Sequence, residues 1–281
     1  MKKIKNIISS ISLEVTYTIG VCAEKKMNFV LFGIILICCH AWAFKIDDIE
    51  IKDIEINDNF LGEALASKKT KLENFLESFK STLRSGDSSL GLPVLDPFTA
   101  ASMPIKFDKK DNIVNINLLA NLTNVEATGL SSYNVNSADF KVFGLKAHAD
   151  LTWPLITAST NYSTNSQIFN HALYGNGGVN AAVHNFRFQI NISFVPKGKH
   201  IQVKSLSTTI SLGALDFKAT GIYNDDETSE VLSKTISDTA PELIKQYQNQ
   251  ITQEIQQILT QIINKYLSTI TLKELLKMLG L

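Results

Sequence analysis

Beyond residue 43 the side chains best suited to acid–base or metal chemistry are four histidines, His148, His171, His184 and His200, and each stands alone. No His-Glu-x-x-His or other ligand spacing joins them. No Gly-x-Ser-x-Gly elbow occurs, and all three cysteines, Cys22, Cys38 and Cys39, fall in the first 43 residues. Gly175-Asn-Gly-Gly178 echoes a phosphate loop, but it joins two strand patterns rather than a strand and a helix, so a turn is expected there. Asp225-Asp226-Glu227 reads as the solvated start of a helix rather than a cation site. Neither catalysis, a metal nor a cofactor is expected.

What remains is the chemistry of desolvation. Phe98, Phe107, Phe143, Trp153, Tyr162, Phe186 and Phe188 are candidates to line an apolar tunnel, with plain core as the ordinary alternative for each. His184 falls in phase with Phe186 and Phe188, so it is expected to face the interior, either as a hydrogen-bonded core histidine or as a ligand contact. Ile258 and Ile262 lie one helical turn apart and complete the candidate lining. Tyr162, His184 and Tyr266 are the polar groups that would select a head group. Affinity in such a site would come from burial, at roughly 0.8 kcal/mol per methylene.

The elements that would position these side chains are legible in the periodicity. From Ile244 the apolar residues run Tyr247, Ile251, Ile255, Ile258, Ile262, Tyr266 and Ile270, in steps of three or four. Leu259, Ile263 and Leu267 widen the stripe, and glutamines fill the opposite face. A helix from Thr239 to Ile270 would be about 48 Å long at roughly 1.5 Å per residue. Thr239-Ala-Pro-Glu242 matches a capping box for its start; the alternative is one continuous helix kinked at Pro241, joined to a shorter one at 230–236. Before it come about 110 residues of strand pattern. Residues 114–123 alternate, 139–153 form a run whose phase shifts near Val142-Phe143 as a bulge would require, and Trp153-Pro154 interrupts before a polar strand over 155–169. Phe186 to Phe194 alternate most cleanly, and residues 201–220 form a last strand with a shift at Gly213. An amphipathic helix is expected over 60–83, stopped by Ser85-Gly86, and 46–58 alternate isoleucines with acids. The expected fold class is α+β: long antiparallel strands with one dry face, curved along a C-terminal helix, and an additional N-terminal helix. A sheet bent around a helix cannot close everywhere at native packing density, so an unfilled apolar cavity is the default ligand site.

Residues 1–43 read as a leader, with a secretory signal over 27–43. Lys25 and Lys26 precede an apolar run from Asn28 to Cys39, and Ala41-Trp-Ala43 supplies small residues for cleavage. The run is short of the roughly 20 residues that span a bilayer. A single domain then covers 44–281. Five Lys and two Glu lie in the leader, which leaves 22 basic and 25 acidic residues beyond it. That balance argues against nucleic acid or an anionic surface as main partner, and no stable membrane insertion is expected. Three N-x-S/T sequons, at Asn121, Asn161 and Asn191, are candidate glycosylation sites.

Several segments together resemble the takeout and haemolymph juvenile-hormone-binding protein family of insects. They are Gly91-Leu-Pro-Val-Leu-Asp-Pro-Phe98, Gly129-Leu-Ser-Ser-Tyr-Asn134, Leu151-Thr-Trp-Pro154 with Tyr162, Tyr174-Gly-Asn-Gly-Gly178, Asn180-Ala-Ala-Val-His-Asn-Phe186 and the Pro-containing C-terminal helix. The resemblance implies a long helix wrapped by a strongly curved sheet, similar to one barrel of the bactericidal/permeability-increasing proteins (TULIP-like). It implies a secreted, non-enzymatic carrier of a small lipophilic ligand such as juvenile hormone, a fatty acid or another terpenoid. A membrane receptor or another carrier protein would be the further partner. The alternatives are an innate-immunity protein that binds microbial lipid at its surface, and a structural or signalling protein with a filled cavity. The family's usual N-terminal cysteine pair is absent, as is the Asn-Trp pair before the long helix, where Ser237-Asp238-Thr239 stand.

Overall fold

The computed structural model describes residues 70–87, 92–110, 115–168 and 171–279. The leader, residues 46–58 and the part of the expected N-terminal helix over 60–69 lie outside the described residues. Helix α1 (Lys71–Ser85) starts at a capping box: the Thr70 hydroxyl accepts from the Glu73 N–H, and the Glu73 carboxylate accepts from the Thr70 N–H. Gly86, at φ 70°, ends it where the sequence places a stop.

Seven strands form one antiparallel, curved sheet: β1 (Phe98–Lys110), β2 (Asn115–Thr128), β3 (Asn134–Lys141), β4 (Lys146–Ile168), β5 (His171–Lys197), β6 (His200–Ser211) and β7 (Ala214–Ala219). The long strands β4 and β5 pair from Lys146–Ser193 to Ile168–His171 and make a central ribbon. β2 and β3 divide the outer edge of β4 between them, and β6 and β7 divide that of β5. β1 is the outermost strand beside β2. It accommodates Pro104 because an edge strand can forgo one ladder N–H.

Four sequence expectations are corrected. Residues 139–153 are not one bulged strand but the β3–β4 hairpin, whose turn occupies 142–145 with Gly144 and Leu145 at positive φ. Trp153-Pro154 does not end a strand, since β4 runs through it to Ile168. The run 201–220 is two strands, β6 and β7, parted at Leu212-Gly213 and both paired to β5. Gly175-Asn-Gly-Gly178 is not a turn but part of β5. Its glycines answer a close crossing of the chain: a Cβ on Gly177 would lie 2.1 Å from the Thr220 carbonyl oxygen, and one on Gly175 2.2 Å from that of Gly221.

The C-terminal helices are α2 (Asp226–Gln246), α3 (Gln248–Leu267) and α4 (Leu272–Met278). Asp225 caps α2 by accepting from the Thr228 N–H at 2.6 Å, as the acidic triplet suggested. The start expected at Thr239 is overtaken, because α2 already runs through Pro241 and Thr239 donates to the Thr235 carbonyl in mid-helix. The interruption comes instead at Tyr247, with φ −106° and ψ 20°.

Three serines fix α2 to the sheet. Ser229, Ser233 and Ser237 recur every four residues, on one helix face. Their hydroxyls accept from the Ile222, Ala219 and Phe217 N–H groups, each at 2.9 Å. Each also donates to the helix carbonyl four residues back. The open edge of β7 is thereby satisfied by side chains instead of another strand.

Three clusters of buried residues fill the dry side. The first joins Ala181, Ile210 and Leu215 to Ala240, Ile244, Tyr247, Ile251 and Ile255 of α2 and α3. The second joins Leu83 of α1 to Leu95, Phe98, Leu122, Val125, Ala127, Tyr133 and Leu151. The third closes the far end with Phe140, Phe194, Ile201, Leu267, Ile270 and Leu279. Among the described residues, no helix is long and apolar enough to cross a membrane.

Candidate functional site

The first and second clusters do not fuse. Over the middle of the ribbon lies an open groove of about 680 Å³. It runs over residues 157–159 of β4, 180–182 of β5 and 216–218 of β7, and reaches Glu126 and Thr128 of β2 and Ser237 of α2. Register divides its lining between the two faces of the sheet: the row Ala158–Ala181–Phe217 faces the cores, and the rows Thr128–Thr157–Ala182–Asp216 and Glu126–Ser159–Asn180–Lys218 stand on the opposite, outer face. Ala158 pairs directly with Ala181, and Ala181 with Phe217, so small side chains meet across the middle of the ribbon. Ala181 packs toward α2 with the first cluster, and Ala158 packs with the second. The outer rows carry hydroxyls. Thr128 and Thr157 are 2.7 Å apart, oxygen to oxygen, and Ser237 is already engaged with the Phe217 backbone. Glu126, Asn180, Asp216 and Lys218 are exposed. The groove presents hydroxyls and charges on its outer rows, and apolar surface only along the Ala158–Ala181–Phe217 row.

None of the residues expected to line a tunnel lies on this groove. Phe98 is buried in the second cluster. Phe107 stands in β1 opposite Leu118, and its side chain lies outside the described residues. Trp153 is clamped between the Tyr133 ring, at 5.4 Å, and the Phe186 ring, at 5.8 Å, and donates from Nε1 to the Leu130 carbonyl. Tyr162 donates to the Thr220 carbonyl at 2.9 Å, and burial pushes its phenol pKa up. Phe186 and Phe188 pack on the first cluster. Tyr266 packs on the third, and burial chiefly, with Asp87, raises its phenol. Ile258 and Ile262 are half-buried on α3 and join none of the three clusters.

Two positions are contradicted outright. Phe143 is 100% exposed at the β3–β4 turn, thrown outward by the hairpin that replaces the expected bulge. His184 does not face the interior. Val183 and Phe186 both pack inward, so the alternation switches between them, where Asn185 takes φ 52°. His184 is left on the outer face, with Nε2 2.8 Å from Asp216 Oδ2.

Much of the sequence resemblance turns out to be framework. The Asp96 carboxylate accepts from the Gly129 and Ser131 N–H groups and from the Ser131 hydroxyl, so two separate segments form one joint. Those bonds hold its pKa down against the opposing effect of burial. The Leu95 and Asp96 N–H groups donate to Leu83 at the end of α1, and Tyr133 donates to Leu76. Burial, with Glu77 nearby, pushes the Tyr133 phenol up to about 12. The joint thus locks α1 against β2, β3 and β4. The residues that sequence reasoning missed are Ala158, Ala181, Phe217 and Ser237. A signal existed: alanine, rather than a large residue, on the dry face of otherwise well-formed strands.

Among the described residues, no group of three or more His, Cys, Asp or Glu is placed to hold a metal. The three sequon asparagines are all exposed on strands. Asn121 accepts from the Ser102 hydroxyl, and Asn191 Oδ1 lies 2.9 Å from His148 Nδ1.

A curved antiparallel sheet, lined on its dry side by C-terminal helices, defines an α+β protein. The chain belongs to the haemolymph juvenile hormone binding protein family, whose model matches residues 37–277. The fold is similar to that of Takeout 1 from Epiphyas postvittana. That match has a TM-score of 0.50 at 14% identity and covers 72% of this chain and 93% of the other. A lipopolysaccharide binding protein aligns at a TM-score of 0.33 and 11% identity, over 69% of this chain and 38% of the other. No curated protein matches the chain by sequence.

Proposed function

We propose that the protein is a secreted carrier, without catalysis, that holds one small lipophilic molecule in a cleft between the ribbon and α2. The observation that carries this reading is a curved sheet whose dry face meets the helices through the small side chains of the Ala158–Ala181 row, in a chain of the haemolymph juvenile hormone binding protein family. Membership of a family described as juvenile hormone binding supports the ligand class, a terpenoid or fatty-acid-like molecule. Ile258 and Ile262, half-buried beyond the cores, are the proposed extension of the site along α3. The signal over 27–43 supports secretion, with cleavage before Phe44.

Ala158 is half-buried, so a larger side chain there has room to enter the cleft. Ala158→Trp is expected to abolish binding of a fluorescent fatty-acid analogue while the far-ultraviolet circular dichroism stays native. Unchanged affinity in that variant would remove the cleft from the site. Ile262→Trp in the same assay reads whether the ligand reaches α3.

A further inference from the structure

The fully exposed Phe143 has a setting that points to a partner. The β3–β4 turn reads Lys141-Val142-Phe143-Gly144-Leu145-Lys146, with Val142 46% and Phe143 100% exposed and a lysine on either side. The turn is firmly seated. Leu145, at φ 46°, packs into the third cluster, and its carbonyl accepts from the Phe194 N–H at 2.8 Å. Beneath it the Phe140 and Phe194 rings lie 6.2 Å apart. Phe143 is therefore presented on a rigid base rather than left over from a loose loop. The neighbouring β5–β6 turn leaves the sheet at the same end, since Ser193 pairs with Lys146 and β5 continues to Lys197 before turning. It adds exposed Lys197 and Lys199. None of these four lysines pairs with a described carboxylate.

An aromatic at the apex of a ring of lysines matches the interface of an anionic bilayer, apolar just below a layer of negative head groups. A protein partner would instead bury a wider apolar patch than two side chains provide. We propose that this end of the sheet docks reversibly on anionic phospholipid membranes, with Phe143 inserting and Lys141, Lys146, Lys197 and Lys199 reading the head groups. The near-zero charge of the whole chain does not oppose this, because the four cations are gathered at one tip.

The test is co-sedimentation of the purified protein with phosphatidylcholine vesicles containing phosphatidylserine. Binding is expected there, weakened by salt, and not to pure phosphatidylcholine. Phe143→Ser should weaken it about tenfold or more, as should Lys141→Glu combined with Lys146→Glu. All these side chains are exposed, so the melting temperature should not move. Failure of the wild type to sediment, equal binding by Phe143→Ser, or sedimentation with lipopolysaccharide aggregates but not phospholipid would each overturn the proposal. Fatty-acid analogue binding should be unchanged in these variants, so loss of docking and loss of the carrier reading are separate results.

Discussion

The two ends of the β4–β5 ribbon use one backbone plan and opposite side chains. At the end capped by α4, Phe140, Phe194, Ile201, Leu267, Ile270 and Leu279 interlock into a closed core. Toward the β7 end, the same two strands carry Ala158 and Ala181 on the dry face, and the glycines 175, 177 and 178 beside the crossing chain at residues 220–222. There the sheet approaches its crossing chain closely. Side-chain volume at a few paired positions decides how closely sheet and helices pack.

That contrast predicts opposite responses to substitution. The largest effect on stability is expected at the closed end. Phe194→Ala should cost about 3–5 kcal/mol in urea unfolding, with affinity for the fatty-acid analogue unchanged in molecules that remain folded. A drop in affinity there would mean that the third cluster is part of the ligand space. A smaller loss is expected where α2 seals β7. Ser233 is 6% exposed, and Ser233→Ala strands the Ala219 N–H, at about 1–3 kcal/mol. Thr235→Ala, two residues on and on the solvent side, should be near neutral, and equal effects would show that the serine ladder does not hold the edge.

The smallest effect is electrostatic and sits on the outer face of the ribbon. Asp150 accepts from Arg187, Gln189 and Asn136. The Arg187 bond above all holds its carboxyl well below the usual carboxylate range. Because the native value is depressed, the stabilisation is fully present above the unfolded value of about 3.9 and fades as pH falls through the native one. Arg187 is 48% exposed, so screening keeps the effect modest. Asp150→Asn should lower the urea midpoint at neutral pH and converge with wild type in strong acid; a constant gap at every pH would assign the loss to packing instead.

The fold was legible where one pattern ran unopposed. Phe186 to Phe194 alternate and lie in β5, and the stripe from Ile244 to Ile255 is the buried face of α2 and α3. It failed where tertiary context set local conformation. The glycines of 175–178 look like a turn in sequence and are strand because another segment crosses them. β1 went unseen because Pro104 and a broken alternation hide an edge strand. His184 was misplaced because a left-handed Asn185 switches the phase, which period-two reasoning cannot see. The small residues of the dry face were illegible for a different reason. Large aromatics draw attention, whereas a cavity is made by residues that are too small, and Ala158 and Ala181 meet only through strand register.

The most direct measurement is organic-solvent extraction of the purified wild type and of Ala158→Trp, followed by mass spectrometry of both extracts. The carrier account predicts one lipophilic species recovered near stoichiometry from the wild type and absent from the variant. The same species recovered equally from both, or none from the wild type even after incubation with terpenoid and fatty-acid mixtures, would contradict it.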